Sequence, residues 1–389
     1  MRGQNNVDNP ERIRCVMKNY SAIYVHVPFC KARCKYCAFS SCVNSDLVSA
    51  YLTRLEQEIA SANLVGGDNK ISTIFLGGGT PSVLGAKNIS RIFSALKNKF
   101  DLSSVSEITV ECNPESVSDE LFDALVNAGV NRVSFGLQSV NNGTLKAIGR
   151  LHDFDGFLSA LDVCHNHGIT NVNADLILGL PESAKDFCHS VDVVSNLPLT
   201  HVSVYALEVH PNTPFADYCQ THFPHTDDEL ADLYDYACAK LSASGFSRYE
   251  ISNFAKSGYA CRHNLNYWQE GRYYGFGPSA SAFVGNVRYR NVYDVSTYVS
   301  SVNVVEQSEV ISAHDEQSEF VMLSLRLSSG FSLSQFSNRF GVDFFSRFPQ
   351  ATELAKLGML SVGGDVVRIP DDKIYVCNSI LADLVDFDD

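Results

Sequence analysis

The chain has 389 residues, 45% of them apolar and 19% charged, which suits one large domain with a substantial core and a smaller second domain. Its net charge of −14 argues against a general nucleic-acid binder and against docking on anionic lipid by charge alone. No apolar stretch approaches the length that crosses a bilayer, and residues 1–20 form a polar leader without a secretory signal. We therefore expect a cytoplasmic protein with no integral membrane segment.

Strand-like apolar segments alternate with segments of helical period over the first 250 residues. The predicted strands span 23–27, 73–76, 107–111, 132–137, 171–178 and 201–206. The predicted helices lie near 46–62, 86–98, 118–128, 154–167, 184–195 and 227–243. Such alternation is typical of parallel βαβ units. The predicted fold class is therefore α/β, with a partial (β/α)6 barrel of TIM type.

Candidate functional residues lie at or near the ends of these predicted strands. They are Gly77, Gly78, Gly79, Glu111, Gln138, Asp175 and Tyr205. Parallel barrels build their active sites at the carboxyl ends of the strands. We therefore expect these residues to share one site at that end.

The pattern changes after residue 300. Predicted helices at 315–327, 333–340 and 344–357 precede two short strands, 360–362 and 366–369, joined by a Gly-Gly-Asp turn. Three helices and a hairpin resemble a winged helix, a fold usually used to bind DNA. Residues 301–389 carry 6 Lys and Arg against 14 Asp and Glu, so a structural or protein-docking role is favoured over DNA binding.

Cys30, Cys34 and Cys37 form a C-x3-C-x2-C motif directly after the first predicted strand. A four-iron cluster usually takes four thiolates, so three leave one iron open for a chelating ligand. The amino and carboxylate groups of S-adenosylmethionine (SAM) suit that position. The alternatives are a zinc site, which usually needs a second cysteine pair that this sequence lacks, or incidental core cysteines. The nine other cysteines lack ligand spacing, and we expect most of them to be small buried side chains.

These motifs together resemble the radical SAM family that contains oxygen-independent coproporphyrinogen III oxidases and their heme-chaperone relatives. The resemblance starts at Tyr24, in Tyr-Val-His-Val-Pro-Phe-Cys, and runs to at least Leu327. It implies a [4Fe-4S] cluster on the three cysteines. It also implies a radical SAM core at 21–250, a barrel cap at 251–300 and a HemN-like C-terminal domain at 301–389.

The resemblance further implies a set of SAM-binding residues. They are Tyr24, Tyr36, Gly78, Gly79, Thr80, Glu111, Gln138, Arg150 and Asp175. Their chemistry agrees, because carboxylates can accept hydrogen bonds from ribose hydroxyls and Arg150 can pair with the methionine carboxylate. Glycines allow a backbone to approach a ligand closely. His26 is either a core histidine or a residue of the cluster or substrate region.

Three features favour the heme chaperones over the oxidases. The oxidases carry a fourth cysteine at the position of Phe39, and they usually have a longer N-terminal extension. The segment from His263 to Trp268 matches the HNxxYW signature associated with the chaperones. The resemblance therefore implies heme as a ligand, with His263 as an axial ligand of the iron and Tyr267 and Trp268 against the porphyrin. The alternative is a structural cap in which His263 is hydrogen-bonded in place.

The residues after the HNxxYW signature extend this interpretation. Residues 271–280 resemble the family loop that lies over the barrel mouth, and Arg262 or Arg272 could pair with heme propionates. We expect a heme chaperone that delivers heme to an acceptor hemoprotein of the respiratory membrane. Such an acceptor would be membrane-bound. The alternatives are an oxygen-independent coproporphyrinogen III oxidase of porphyrin biosynthesis and a radical SAM enzyme acting on another substrate. The oligomeric state stays open, and a homodimer is compatible with the sequence.

Overall fold

A computed structural model of the chain describes residues 21–64, 70–211, 213–216 and 225–387. The described residues form two compact units, 21–312 and 313–387. The polar leader proposed for residues 1–20 lies outside the described residues. The first unit continues past residue 300, because a strand at Val305–Val310 pairs with one at Val287–Asn291.

Six parallel strands form the centre of the first unit. They are β1 (Ser21–Val27), β2 (Ile71–Gly78), β3 (Glu107–Cys112), β4 (Arg132–Gln138), β5 (Val172–Leu178) and β6 (His201–Ala206), paired in that order. The partial (β/α)6 architecture is therefore confirmed. Beyond β6 the sheet continues into two short antiparallel strands, β7 (Ser247–Arg248) and β8 (Asn253–Ala255), rather than returning to β1.

Helices connect these strands close to the predicted positions. They are α1 (Val48–Ser61), α2 (Gly85–Lys99), α3 (Asp119–Ala128), α4 (Asn142–Ala147), α5 (Phe154–Asn166), α6 (Ala184–Val194) and α7 (Asp227–Ala243). Ser118, Ser183 and Thr226 begin their helices by accepting a hydrogen bond from a first-turn amide. The sequence analysis missed α4, because six residues are too short to show a helical period. Within the described chain, no helix combines the length and apolar character needed to cross a membrane.

A second group of strands extends the sheet beyond β1. Helix α8 (Arg262–Trp268) precedes β9 (Tyr273–Phe276), which pairs in parallel with β1. The antiparallel strands β10 (Ser281–Val284), β11 (Val287–Asn291) and β12 (Val305–Val310) follow, with α9 (Val295–Ser300) between the last two. These strands were not predicted. They place the amino end of β9 beside the amino end of β1, where Tyr273 pairs with Ala22.

The second unit contains short helices and a three-stranded sheet. Its elements are α10 (Ala313–Ser324), β13 (Phe331–Ser332), α11 (Leu333–Phe340), α12 (Phe344–Arg347), α13 (Gln350–Lys356), β14 (Ser361–Gly363), β15 (Val366–Arg368) and α14 (Cys377–Leu384). The predicted hairpin is present as β14 and β15. The prediction of one helix over 344–357 is wrong, because Pro349 lacks an N–H and disfavours helical geometry at Phe348.

Candidate cofactor site

The three motif cysteines lie on the loop between β1 and α1. The base of this loop is closed by pairing of Phe29 with Cys42, and the Cys30 N–H donates to the Cys42 carbonyl over 3.1 Å. The Cys37 N–H donates to the Cys34 carbonyl over 3.2 Å. All three motif cysteines are partly exposed free thiols. The loop, which we call the cluster loop (residues 28–42), therefore presents three accessible sulfurs after one strand.

The other described cysteines behave differently. Cys112, Cys164, Cys261 and Cys377 are buried, as expected for small core side chains, whereas Cys42, Cys188 and Cys238 are partly exposed. Cys15 and Cys219 lie outside the described residues.

Two polar side chains, Thr80 and Arg150, lie at hydrogen-bond distance from motif thiols. Burial raises the pKa of Cys30 to about 11, but the Thr80 hydroxyl, 3.5 Å from its Sγ, and the Arg150 charge both lower it. Arg150 Nη1 also donates to Cys34 Sγ over 3.5 Å. No three His, Cys, Asp or Glu side chains among the described residues could hold a single metal ion. A four-iron cluster places each thiolate on a different iron, so its ligands do not converge on one point, and these residues fit such a cluster.

Asn113 joins the two side chains that flank the thiols. Its Nδ2 donates to Thr80 Oγ1 over 3.1 Å, and its Oδ1 accepts from Arg150 Nη2 over 2.7 Å. The same Nη2 donates to the Gly136 carbonyl over 2.6 Å. The sequence analysis missed Asn113. Its position directly after a buried strand and before Pro114 was the available signal.

The glycine-rich segment after β2 packs directly on the cluster loop. The Gly79 N–H donates to the Val27 carbonyl and the Thr80 N–H to the Phe29 carbonyl, both over 2.8 Å. Gly78 has φ +108°, and a Cβ on it would lie 2.5 Å from the His26 ring. A Cβ on Gly79 would lie 2.8 Å from the Val27 and Phe29 carbonyl oxygens. Gly78 is therefore required by contact with His26 of β1, and Gly79 by contact with Val27 at the end of β1 and Phe29 of the cluster loop.

Partly exposed residues form a row across the five paired strands β1 to β5, and we call this row the groove. Most of their neighbours along these strands are buried. Apart from Ser21 and Ser72 at the amino ends, the partly exposed positions are Tyr24 on β1, Phe75 and Gly78 on β2, Glu111 on β3, Gly136 and Gln138 on β4, and Asp175 on β5. Tyr24 pairs with Phe75, and Gly136 pairs with Asp175. The groove brings together most of the residues predicted to bind SAM.

Two carboxyl groups in this groove are poised to accept hydrogen bonds. Glu111 accepts from the Gly78 N–H over 3.0 Å, and burial together with the nearby charge of Asp175 raises its pKa to about 7. Burial also raises the pKa of Asp175, against a 2.7 Å hydrogen bond from Asn173. Asp175 lies in the middle of β5 and not near its carboxyl end. Among the described residues, neither carboxylate has a basic side chain within ion-pair distance, so a ligand hydroxyl could donate to both.

Tyr24 and His26 connect the groove to the cluster loop. The Tyr24 hydroxyl lies 3.0 Å from His26 Nδ1, and His26 Nε2 lies 2.8 Å from the Ser40 carbonyl oxygen. Because a carbonyl only accepts, Nε2 carries the proton and Tyr24 donates to Nδ1. Burial lowers the pKa of His26 to about 4, so the ring is neutral. His26 is thus a fully hydrogen-bonded residue that supports the cluster loop.

Tyr36 and Gln138 complete the predicted SAM set. Tyr36 packs on a buried apolar cluster that includes Leu145, Ile148 and Leu180, which holds the second half of the cluster loop against the barrel. Gln138 ends β4 with φ +75°, a conformation that costs a non-glycine residue about 1 kcal/mol or more. It is one of three such residues in the described chain, and it belongs to the groove.

The HNxxYW segment lies at the opposite end of the barrel. The Arg262 and His263 amides, in the first turn of α8, donate to the carboxylate of Glu107 over 2.9 and 3.0 Å. Glu107 is the first residue of β3, so α8 closes the amino ends of the strands. The sequence analysis placed residues 271–280 over the barrel mouth and gave no position for the HNxxYW segment. The segment lies at the amino end because it precedes β9, which runs parallel to β1.

His263 has both ring nitrogens hydrogen-bonded and is only 1% exposed. Nδ1 lies 2.9 Å from Thr73 Oγ1, and Nε2 lies 2.9 Å from the Tyr267 hydroxyl. Burial lowers its pKa to about 3. Arg272 lies 3.8 Å over the Phe283 ring and donates to backbone carbonyls. This geometry is that of the structural cap considered as the alternative, and neither Glu107 nor Thr73 was recognised from the sequence.

Two protein-family models match the chain. The Radical SAM superfamily model matches residues 24–194, and the HemN C-terminal domain model matches residues 311–372. Among solved structures, coproporphyrinogen III oxidase (HemN) from Escherichia coli aligns with a TM-score of 0.82 and 23% identity, covering 96% of this chain and 92% of that one. That likeness shows the fold.

Curated relatives resolve the family further. The heme chaperone HemW of Bacillus subtilis is 34% identical over 87% of this chain and 92% of its own length. HemW of Lactococcus lactis is 32% identical, covering 94% of this chain and 97% of the relative. HemW of E. coli is 31% identical, covering 92% and 97%. Because these similarities extend over nearly the whole of both chains, the chain belongs to the HemW family of radical SAM proteins.

Proposed function

We propose that this chain is a heme chaperone that carries a [4Fe-4S] cluster and SAM and delivers heme to an acceptor hemoprotein. The observation that carries the proposal is its similarity, over almost its full length, to relatives named heme chaperones. The three-cysteine loop with Phe39 at the fourth position supports it. We further propose that the protein is cytoplasmic and that the acceptor belongs to the respiratory membrane, which the chaperone would contact peripherally.

Cys30, Cys34 and Cys37 would hold the cluster. When bound and reduced, such a cluster supplies the electron that cleaves a C–S bond of SAM. Around it, Thr80 donates toward Cys30, and Arg150 donates toward Cys34. Both donors stabilise thiolate charge in a partly buried loop. Three protein thiolates leave one iron for the amino and carboxylate groups of SAM.

The groove across β1 to β5 would bind the rest of SAM. Glu111 and Asp175 would accept hydrogen bonds from the ribose hydroxyls, and Tyr24 and Gln138 would line the same groove. Arg150 already lies between the cluster loop and Gly136, so it could reach the methionine carboxylate. Tyr36, Gly78 and Gly79 would shape the pocket near the cluster.

The proposal of heme binding is supported by the similarity to the HemW family, and it does not depend on any particular residue as the ligand of the heme iron. Ligation of iron by His263 would require the Tyr267 hydroxyl to leave Nε2 and the buried ring to open to the porphyrin. His263 therefore stays a hypothesis that the heme titration below can test.

The test is a heme titration of anaerobically reconstituted protein, followed through the Soret band. We expect saturable binding near one heme per chain. We also expect a triple Cys→Ser variant at positions 30, 34 and 37 to lose its iron–sulfur absorbance, whereas Cys188→Ser, at a partly exposed cysteine outside the motif, keeps it. Absence of saturable heme binding would remove the chaperone proposal. Retention of the cluster by the triple variant would remove the cluster assignment.

A further inference from the structure

A continuous line of side-chain contacts joins the HNxxYW segment to the cluster loop. The His263 ring lies 5.2 Å from the Phe75 ring between centroids, with an interplanar angle of 32°. Phe75 lies 6.2 Å from Tyr24 at 34°. Tyr24 is hydrogen-bonded to His26, and His26 to the Ser40 carbonyl. The line therefore runs from the amino ends of the strands, through the groove, to the loop that bears the three motif cysteines.

The middle of this line forms part of the proposed SAM groove. Phe75 and Tyr24 are both partly exposed on otherwise buried stretches of strand. A Cβ on Gly77 would lie 2.8 Å from Phe75 Cε1 and 2.9 Å from Glu111 Oε2, so the Phe75 ring edge and the Glu111 carboxylate meet at Gly77. A shift of the Phe75 ring would consequently disturb Glu111 as well as Tyr24, because close-packed neighbours cannot absorb it.

The end of the line at His263 is fixed by several hydrogen bonds. Thr73 and Tyr267 fix the two nitrogens of His263, and Glu107 fixes its backbone amide. Tyr267 in turn packs edge-on against Tyr273, with ring centroids 4.7 Å apart. A neutral, doubly hydrogen-bonded imidazole is thus held beside Phe75, tilted by 32° from its ring plane.

We propose that His263 is a positioning residue for SAM binding, acting from the far end of the barrel through Phe75 and Tyr24. This inference rests on the proposed function in one respect, namely that SAM occupies the groove. It assigns the histidine of the HNxxYW signature a role in placing groove residues, in place of a role as an iron ligand.

The experiment measures SAM affinity and heme binding on the same reconstituted holoprotein. The variants are Tyr267→Phe and Thr73→Val, which each remove one tether of His263 with little change in shape, and His263→Leu, which removes the ring. SAM affinity is read from the change that SAM causes in the electron paramagnetic resonance spectrum of the reduced cluster. The Soret band reports heme, and iron content reports cluster loading.

We expect each variant to weaken SAM binding by about 10-fold, the lower end of what supporting hydrogen-bond partners contribute. Cluster iron content and the Soret position should stay at wild-type values, including in His263→Leu. The matched control is His167→Leu. His167 also contacts a buried phenylalanine, Phe122 at 5.7 Å, and hydrogen-bonds a carbonyl, but it lies outside this line of contacts. Its SAM affinity should not change.

Two results would overturn the inference. One is unchanged SAM affinity in Tyr267→Phe and Thr73→Val, which decide the matter even when His263→Leu does not fold. The other is a lost or shifted Soret band in His263→Leu with normal SAM binding, which would identify an iron ligand. A wild-type spectrum that does not respond to SAM would instead contradict the proposed function, and the inference with it.

Discussion

Glu111 is a groove residue whose pKa lies above the usual value for a glutamate. Folding places its carboxyl group between the Gly78 amide and Asp175, and its pKa rises from 4.5 to about 7. An acid with a raised pKa in the folded state is stabilising when protonated and loses that contribution as pH rises. The groove thus holds a carboxyl group whose ionised form is energetically costly, a property that is common at functional sites.

Glu111→Gln should therefore stabilise the apoprotein more at pH 8 than at pH 5. Between pH 4.5 and 7 the unfolded chain releases its proton before the folded chain does, so wild-type stability falls by up to about 3 kcal/mol over that window. Gln can still accept from the Gly78 N–H. Denaturant unfolding at the two pH values measures the difference. An equal gain in stability from Glu111→Gln at both pH values would contradict the assignment.

Substitution of Gly78 tests the close contact between the glycine-rich segment and His26, which supports the cluster loop. A Cβ at Gly78 would meet the His26 ring at 2.5 Å and would also occupy φ +108°. Gly78→Ala should therefore break the His26 support of the cluster loop and lower iron incorporation at least several-fold. Gly85→Ala is the matched control, because Gly85 also has positive φ but open space at its Cβ position. It should cost only about 1 kcal/mol of stability and leave iron content unchanged.

Equal iron loading in the two glycine variants would contradict this account. It would show that contact between a Cβ at position 78 and His26 does not lower iron incorporation. The comparison is read from iron and sulfide analysis after reconstitution.

At the scale of elements, one buried carboxylate fixes the strands beyond β1 to the barrel. Glu58 of α1 is 8% exposed and accepts from the Gly277 N–H over 3.0 Å, from Asn291 Nδ2 over 2.6 Å and from the Tyr298 hydroxyl. These donors come from the ends of β9 and β11 and from α9. Helix α8, which carries the HNxxYW segment, directly precedes β9 in the chain. By fixing the end of β9, Glu58 therefore also supports the position of that segment.

Glu58→Ala should lower the free energy of unfolding by about 3 to 5 kcal/mol, because three buried donors lose their acceptor. Glu56→Ala, two residues earlier on α1, removes a partly exposed pair with Arg91 at 2.9 Å and should cost at most about 1 kcal/mol. Chemical denaturation of both variants measures the contrast. Similar small losses would mean that the extension is held by its strand pairing alone.

The elements that sequence predicts well are those with a local signal. The six barrel strands are continuous apolar runs between helical segments, so their positions followed from periodicity. Strand β9 has only four residues and pairs with β1, which lies about 250 residues earlier in the chain. It could therefore not be predicted from a local sequence pattern. The location of His263 depends on that pairing, which is why the signature was recognised from the sequence but its position in the barrel was not predicted.

The same distinction applies to the site. The three motif cysteines and the glycine segment are local motifs and were found from spacing. Asn113 and Thr73 matter only through side chains that the fold brings to them, Thr80 and Arg150 for the first and His263 for the second. Such residues have no motif of their own.

At the scale of the whole molecule, the fold does not separate a heme chaperone from an oxidase. The chain shares the fold of E. coli coproporphyrinogen III oxidase over 96% of its length, although the two are only 23% identical. The similarity to HemW relatives is what distinguishes the two branches. We propose that the difference lies in whether the protein, with its cluster and SAM, acts on coproporphyrinogen III.

The most direct test is a turnover assay on the anaerobically reconstituted protein with SAM, a reductant and coproporphyrinogen III. A chaperone should leave the tetrapyrrole unchanged while the same preparation binds heme saturably. Protoporphyrinogen IX formed in step with 5′-deoxyadenosine would contradict the account and identify a coproporphyrinogen III oxidase.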